Sequence, residues 1–89
     1  MNPVAVHFGE NLCHLRKKAE LSQEALGYLS SLHRTEIGLL ERGARVPRID
    51  TLVKIAISLE LPLECPLLEG IRWRPTRAEA GGFEVSSDA

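Results

Sequence analysis

Ser22-Gln23-Glu24-Ala25-Leu26-Gly27, then Ile37, then Leu40-Glu41-Arg42-Gly43 is the stretch that decides how this 89-residue chain folds. Ser22 is a good N-cap, because its side-chain oxygen can accept a backbone N–H that the helix leaves unpaired. Gln23 and Glu24 suit the first turn that follows, where negative charge meets the positive end of the helix dipole. Leu26 and Leu29 carry an apolar stripe on to Ser30. A second short helix is predicted over 34–42, with Ile37 and Leu40 turned inward, and Gly43 ends it as a residue free to take positive φ. Two short helices joined by a tight turn, with a polar face on the second, can lay a helix in the major groove of DNA.

Upstream of this unit, Phe8, Leu12, Leu15 and Ala19 recur at helical spacing and predict an amphipathic helix over 7–19. Downstream, Ala44-Arg45-Val46-Pro47 reads as a loop. A fourth helix is predicted over 49–59, with Leu52, Ile55, Ala56 and Leu59 inward and Asp50 in its first turn; Pro62 stops it. A fifth, short helix holds Leu67 and Leu68, with Pro66 in its first turn, where a missing N–H costs little. After Gly70 the period changes to two. Ile71 and Trp73 alternate with Arg72 and Arg74, and Phe83 and Val85 flank Glu84, as in short strands. The stretch 75–82 between them is turn- and linker-like. The composition of this tail suits disorder equally well.

Composition agrees with a helical core. Hydrophobic residues make up 44% of the chain, with leucine dominant and aromatics at only 4%. The length suits one small domain. No apolar run approaches the ~20 residues that cross a bilayer. Met1-Asn2-Pro3-Val4 lacks the basic and apolar regions of a signal peptide, so no membrane and a cytoplasmic location are expected. Cys13 and Cys65 lack metal-type spacing and read as free thiols of a reducing compartment. His7, His14 and His33 are irregularly spaced and read as surface or capping residues rather than metal ligands. No nucleophile with its base, carboxylate pair or phosphate-binding glycine loop can be found. An enzyme is not expected, nor a cofactor or metal.

Charge is uneven. The net value is −1, but residues 1–48 carry seven basic and five acidic residues, whereas residues 49–89 carry four and seven. Binding responds to the local field, so a basic end on an acidic body can still meet a polyanion, with modest non-specific affinity.

Taken together, Arg16, Leu21-Ser22-Gln23-Glu24, Leu26-Gly27, Ile37, Leu40-Glu41-Arg42-Gly43, Pro47, Leu52 and Ile55-Ala56 resemble the phage repressor and Cro family of helix-turn-helix proteins, the xenobiotic-response-element type. The match covers about residues 8–69. The resemblance implies an all-α, five-helix, lambda-repressor-like DNA-binding domain, here over 1–69, followed by a short tail over 70–89. It implies that Arg16 pairs with Glu41 beneath the DNA surface. Carried over by position, Arg34, Thr35 and Leu39 would read bases: arginine through guanine O6 and N7, threonine through a hydroxyl or methyl contact, leucine through a thymine methyl. Gln23 would clamp a phosphate and the first base pair. Ser22, Gln23, Arg42, Arg45 and Arg48 would meet phosphates. Gly27 would allow the two helices to cross closely, and Gly38 is expected to face outward with Arg34, Thr35, Leu39 and Arg42.

Three features depart from the family pattern. Glu20 and Ser31 stand at turn positions where it usually has glycine; a positive φ there costs on the order of 1 kcal/mol. Gly38 inside the recognition helix loosens it by about 1 kcal/mol relative to alanine. Tyr28 and Leu29 are apolar where the family is often polar, and are expected to pack under the tail or, failing that, to form a partner surface.

The function these residues imply is that of a transcriptional regulator, a repressor in the leading reading, that binds palindromic double-stranded DNA as a homodimer. The dimer contact is expected from Leu67, Leu68, Ile71, Trp73, Phe83 and Val85, because an isolated hairpin is marginal and its apolar face needs support. No small-molecule ligand is expected. The competing reading is an antitoxin-type module that neutralises a protein partner and regulates its own gene, which the acidic C-terminal half favours slightly.

Overall fold

The computed structural model describes residues 2–62, 65–75 and 82–86. Among them are four α-helices, a 3-10 turn and two strands: α1 (Pro3–Lys18), α2 (Gln23–Ser30), α3 (Arg34–Glu41), α4 (Ile49–Ser58), the turn Pro66–Leu68, β1 (Ile71–Arg74) and β2 (Gly82–Val85).

α1 begins four residues earlier than the apolar spacing suggests. Asn2 caps it, its side-chain oxygen accepting from Val4 N at 2.9 Å and Ala5 N at 3.3 Å, and Pro3 takes the first-turn position that proline tolerates. The apolar stripes of the helices converge on Phe8, Leu12, Leu26, Ile37, Leu40, Ile55 and Leu67, all fully buried. Burying each such side chain stabilises the fold by about 1.5–3 kcal/mol before chain entropy is counted. α1 crosses the end of α3 at Gly9, where a Cβ would lie 2.4 Å from the Leu40 carbonyl oxygen. Backbone meets backbone there, so the crossing needs glycine.

The predicted fifth helix is instead the 3-10 turn Pro66–Leu68. Cys65 before it is left-handed, at φ 49°, and Glu69 after it is extended. Three residues between those points cannot close an α-helical turn. Leu67 within the turn is fully buried, which removes it from any dimer contact.

β1 and β2 pair antiparallel, with Ile71 opposite Val85, Trp73 opposite Phe83 and Arg72 opposite Glu84. The two extended segments of the tail are thus strands of one ladder; residues 76–81 of the predicted linker lie outside the described residues. The hairpin is supported by its own chain. The His7 Nε2–H donates to the Glu69 carbonyl at 2.9 Å, and Asn11 Nδ2 donates to the carbonyls of Leu67 and Glu69, both at 2.9 Å. Ser86 N donates to the Gly70 carbonyl at 2.8 Å, and Ile71 packs on the edge of the core. His7 is therefore a buried strut between α1 and the tail, not a surface residue. Tyr28 and Leu29 do not pack under this tail; both are exposed. No helix among the described residues is long and apolar enough to cross a membrane.

Candidate nucleic-acid interface

The α2–turn–α3 unit is built from local signals. Ser22 Oγ accepts from Ala25 N at 2.9 Å and opens α2. α2 closes on Ser31 in the left-handed region, at φ 59°, and Glu20 in the preceding turn has φ 60°. Both non-glycine residues carry the strain expected of them, about 1 kcal/mol each. Leu32 N then reaches back to the Gly27 carbonyl at 2.8 Å. The close approach at Gly27 is to this turn: a Cβ there would lie 2.6 Å from the Leu32 carbonyl oxygen. Glycine is needed by the backbone of the turn rather than by a crossing of helix axes.

α3 is capped by His33, a role the sequence hardly signals, since histidine is not among the favoured caps. Its Nδ1 accepts from Thr35 N at 3.0 Å and from the Thr35 hydroxyl at 2.9 Å. The Thr35 hydroxyl hydrogen is thereby engaged, leaving the oxygen lone pairs and the methyl group to face outward. Ile37 and Leu40 are fully buried. Arg34, Thr35 and Arg42 are exposed, and Leu39 is half-buried. Gly38 is not part of the outward face. It is buried under the side chains of Arg42 and Gln23, whose Nη1 and Oε1 would lie 3.2 Å and 3.6 Å from a Cβ at that position.

Beneath this face lies one buried polar network. Arg16 Nε donates to Glu41 Oε2 at 2.5 Å and its Nη2 donates to Oε1 at 3.0 Å, a two-pronged pairing of fork with carboxylate. Arg16 Nη1 donates to the Leu21 carbonyl at 2.8 Å, and Gln23 Nε2 donates to Glu41 Oε1 at 3.0 Å. The network ties α1, the turn before α2, the start of α2 and the end of α3 to one carboxylate. Burial pushes the Glu41 carboxyl up, but the bonds from Arg16 and Gln23 outweigh it and hold the group below the usual carboxylate range. The bond from Glu41 raises the Arg16 guanidinium above its ordinary value. Among the described residues, no buried side-chain nitrogen or oxygen lacks a hydrogen-bond partner.

The remaining candidate contacts are cationic, and most have an acid beside them. Arg34 Nη1 meets Glu24 Oε2 at 3.1 Å, Arg45 pairs with Glu36, and Arg48 Nε meets Asp50 Oδ1 at 3.4 Å. Arg42 rims the same surface at the cap of α3. The acids Glu24, Glu36 and Asp50 were not singled out as partners by the sequence. Only Arg48 and Asp50 lie close enough in the chain for their proximity to be readable without the fold.

A model of the helix-turn-helix domain matches residues 7–64, the span that holds α2, α3 and the network beneath them. This chain belongs to the helix-turn-helix family of Cro/C1 type. The control protein C.BamHI of Bacillus amyloliquefaciens is 37% identical over 59 residues, which span 65% of this chain and 73% of that protein. The crystal structure of the restriction-modification controller protein C.AhdI from Aeromonas hydrophila superposes with a TM-score of 0.67 at 38% identity, over 71% of this chain and 94% of that one. The wild-type restriction-modification controller protein C.Esp1396I gives 0.70 at 27% identity, over 74% and 87%. This helix-turn-helix chain is thus a DNA-binding regulator, and it is not an enzyme.

Proposed function

We propose that this chain is a restriction-modification controller, a transcriptional regulator that binds a palindromic operator as a homodimer with α3 in the major groove. The observation that carries the reading is the Arg16–Glu41–Gln23 network, which fixes α2 and α3 relative to each other while leaving one face of α3 to solvent. A recognition unit must be held this rigidly, because a displaced helix loses its base contacts together. The controller role is the printed role of C.AhdI and C.Esp1396I, and it comes to this chain by similarity.

In this reading Arg34, Thr35 and Leu39 address base edges. Arg34 takes guanine through O6 and N7, and the methyl groups of Thr35 and Leu39 suit a thymine methyl. Gln23 keeps one amide N–H and its carbonyl free for the first base pair or its phosphate, since Glu41 takes only the other N–H. Ser22 accepts the capping bond and retains its hydroxyl hydrogen for a phosphate. Arg42, Arg45 and Arg48 meet phosphates; Arg45 and Arg48 leave Glu36 and Asp50 to do so, an exchange that costs little because exposed ion pairs contribute at most ~1 kcal/mol. Two copies are needed because one α3 spans only a few base pairs, and a two-fold dimer reads two half-sites about one helical turn apart. The regulator acts as a repressor where its operator overlaps a promoter.

Selection of bound duplexes from a random pool tests this. The expected product is a pair of inverted half-sites. Enrichment of no sequence, or of a single unpaired half-site, would remove the operator reading.

A further inference from the structure

The cap of α3 does more than start the helix. Thr35 N lies 3.0 Å from His33 Nδ1 and can only donate, so Nδ1 presents its lone pair there and the ring proton sits on Nε2. The Thr35 hydroxyl lies 2.9 Å from the same nitrogen. An unprotonated nitrogen has nothing to donate, so the hydroxyl hydrogen points to it. Within a helix a threonine hydroxyl can instead return to a carbonyl about one turn back. Thr35 stands in the first turn of α3, and among the described residues its hydroxyl has no partner but His33. Glu24, which lines the same open groove as His33, is taken by Arg34 and does not compete for the ring.

The direction of that hydroxyl decides what Thr35 can offer to DNA. A free threonine hydroxyl rotates to meet either a donor or an acceptor. With its hydrogen turned back to His33, the exposed Thr35 offers outward only oxygen lone pairs and a methyl group. In the major groove adenine N6 and cytosine N4 are donors, whereas guanine O6 and N7 and thymine O4 are acceptors. An oxygen that only accepts is attracted to the amino group of adenine or cytosine and is set against the carbonyl of guanine or thymine. An A·T pair with its adenine toward Thr35 also brings a thymine methyl for the Thr35 methyl.

We propose that His33 is a positioning residue for base readout. It fixes the Thr35 hydroxyl as an acceptor, so Thr35 selects adenine or cytosine on the strand it faces. This rests on Thr35 being a base reader in the proposed function, and it names the class of base that Thr35 takes. One ring nitrogen then serves two ends: it starts α3, and it sets the polarity of the side chain two residues on.

The test titrates the full chain and three variants against the selected operator, with all four base pairs placed in turn at each position of one half-site. Far-UV circular dichroism confirms that each variant is folded. T35V keeps the methyl and removes the oxygen, so the base pair whose preference it alters is the one that Thr35 reads. At that pair the wild type should bind adenine or cytosine on the facing strand roughly tenfold tighter than guanine or thymine, the penalty for facing one acceptor with another. H33G keeps a residue tolerated at a cap but frees the Thr35 hydroxyl to rotate, so the preference should shrink to about twofold or less. H33N should retain it, because the asparagine Oδ1 branches from Cγ as Nδ1 does and can accept both bonds. Nitrogen-15 spectra of the wild-type imidazoles need no variant, and should show His33 protonated at Nε2 and bare at Nδ1. A His33 proton on Nδ1 would overturn the positioning role. So would a wild-type preference for guanine or thymine, or an amino preference that H33G leaves intact or H33N loses. In each of those cases Thr35 would remain a base reader. A T35V chain that matches the wild type on every duplex would instead show that Thr35 reads no base; the fault would then lie in the proposed function, and the inference would fall with it.

Discussion

Arg34 and Glu24 meet across the turn between α2 and α3, Nη1 to Oε2 at 3.1 Å, with 65% and 76% of their side chains in water. The pair joins the leading base-reading candidate to an acid that would face the same DNA. Screening by water makes the bridge worth little to folding. In the proposed reading its effect is on binding: Arg34 would have to leave Glu24 to grip a guanine.

Arg34→Ala should lower affinity for the selected operator by ~1–3 kcal/mol and relax preference at one base pair. Anisotropy titrations on the operator and on single-base variants measure this. An equal loss on operator and random duplexes would show that Arg34 touches phosphate only.

Glu24→Gln should act the other way. It frees Arg34 and removes a negative charge from the DNA-facing surface, so affinity should rise on operator and random DNA alike, by up to ~1 kcal/mol at low salt. A fall in operator affinity instead would show that Glu24 itself accepts a hydrogen bond from a base, as a carboxylate can from cytosine N4.

Arg16→Ala and Glu41→Ala should each destabilise the fold by about 3–5 kcal/mol, since each strands a charge in a buried site. The double variant should lose less than the two losses combined, because removing both partners leaves no stranded charge. Urea unfolding of the four proteins gives the coupling. Strict additivity would mean that the pair does not act as a unit.

The same network sets an acid limit. The folded Glu41 carboxyl titrates below its unfolded value, so the unfolded chain takes up its proton first as pH falls. The stability Glu41 contributes is complete above the unfolded carboxylate range, near pH 4.5, and is lost as pH drops below it toward the folded value. Glu41→Gln should flatten this part of the stability curve while the protein remains folded at neutral pH. An unchanged acid limb would assign the loss to other carboxylates.

What the sequence revealed depends on the range of the forces involved. Ser22, Gly43 and the leucine spacing bound α2 and α3 correctly, because caps and amphipathic period are local. The partnership of Arg16 with Glu41, 25 residues apart, was legible only through the family resemblance. Asn2 and Pro3 were equally local start signals for α1, but no apolar period reaches that far upstream to draw attention to them. Pro66-Leu67-Leu68 looked helical because apolar content and an N-terminal proline are shared by α and 3-10 turns; the left-handed Cys65 that shortens the element leaves no mark in the sequence. The buried His7 and the acids Glu24 and Glu36 beside Arg34 and Arg45 depend on tertiary placement and were illegible. The His33 cap, by contrast, is a contact two residues long that the reading of the histidines as surface or capping residues included. The inner side of α4 was legible, since helical spacing puts Leu52, Ile55, Ala56 and Leu59 there; that Ile49, Val53 and Ile57 stay exposed on the other side was not.

Gly70 gives the sharpest test of how the hairpin is held. It sits at φ 82°, and a Cβ there would lie 2.2 Å from the Ser86 carbonyl oxygen and 2.7 Å from His7 Nε2. Alanine would therefore be strained by its backbone and would also press on the two groups that join the hairpin to its root and to α1. Relief requires the Ser86–Gly70 and His7–Glu69 hydrogen bonds to open, which releases the strands from α1. Gly70→Ala should cost about 1–3 kcal/mol, the strain of a positive φ together with a lost buried hydrogen bond. The loss should be local. Trp73 is the only tryptophan in the chain, and its edge-to-face contact with Phe83 gives it an asymmetric environment. Its near-UV circular dichroism should weaken in Gly70→Ala, while the far-UV helical signal and operator binding through α3 persist. A tryptophan band identical to wild type, with unchanged stability, would mean that the hairpin is held by contacts other than those at Gly70.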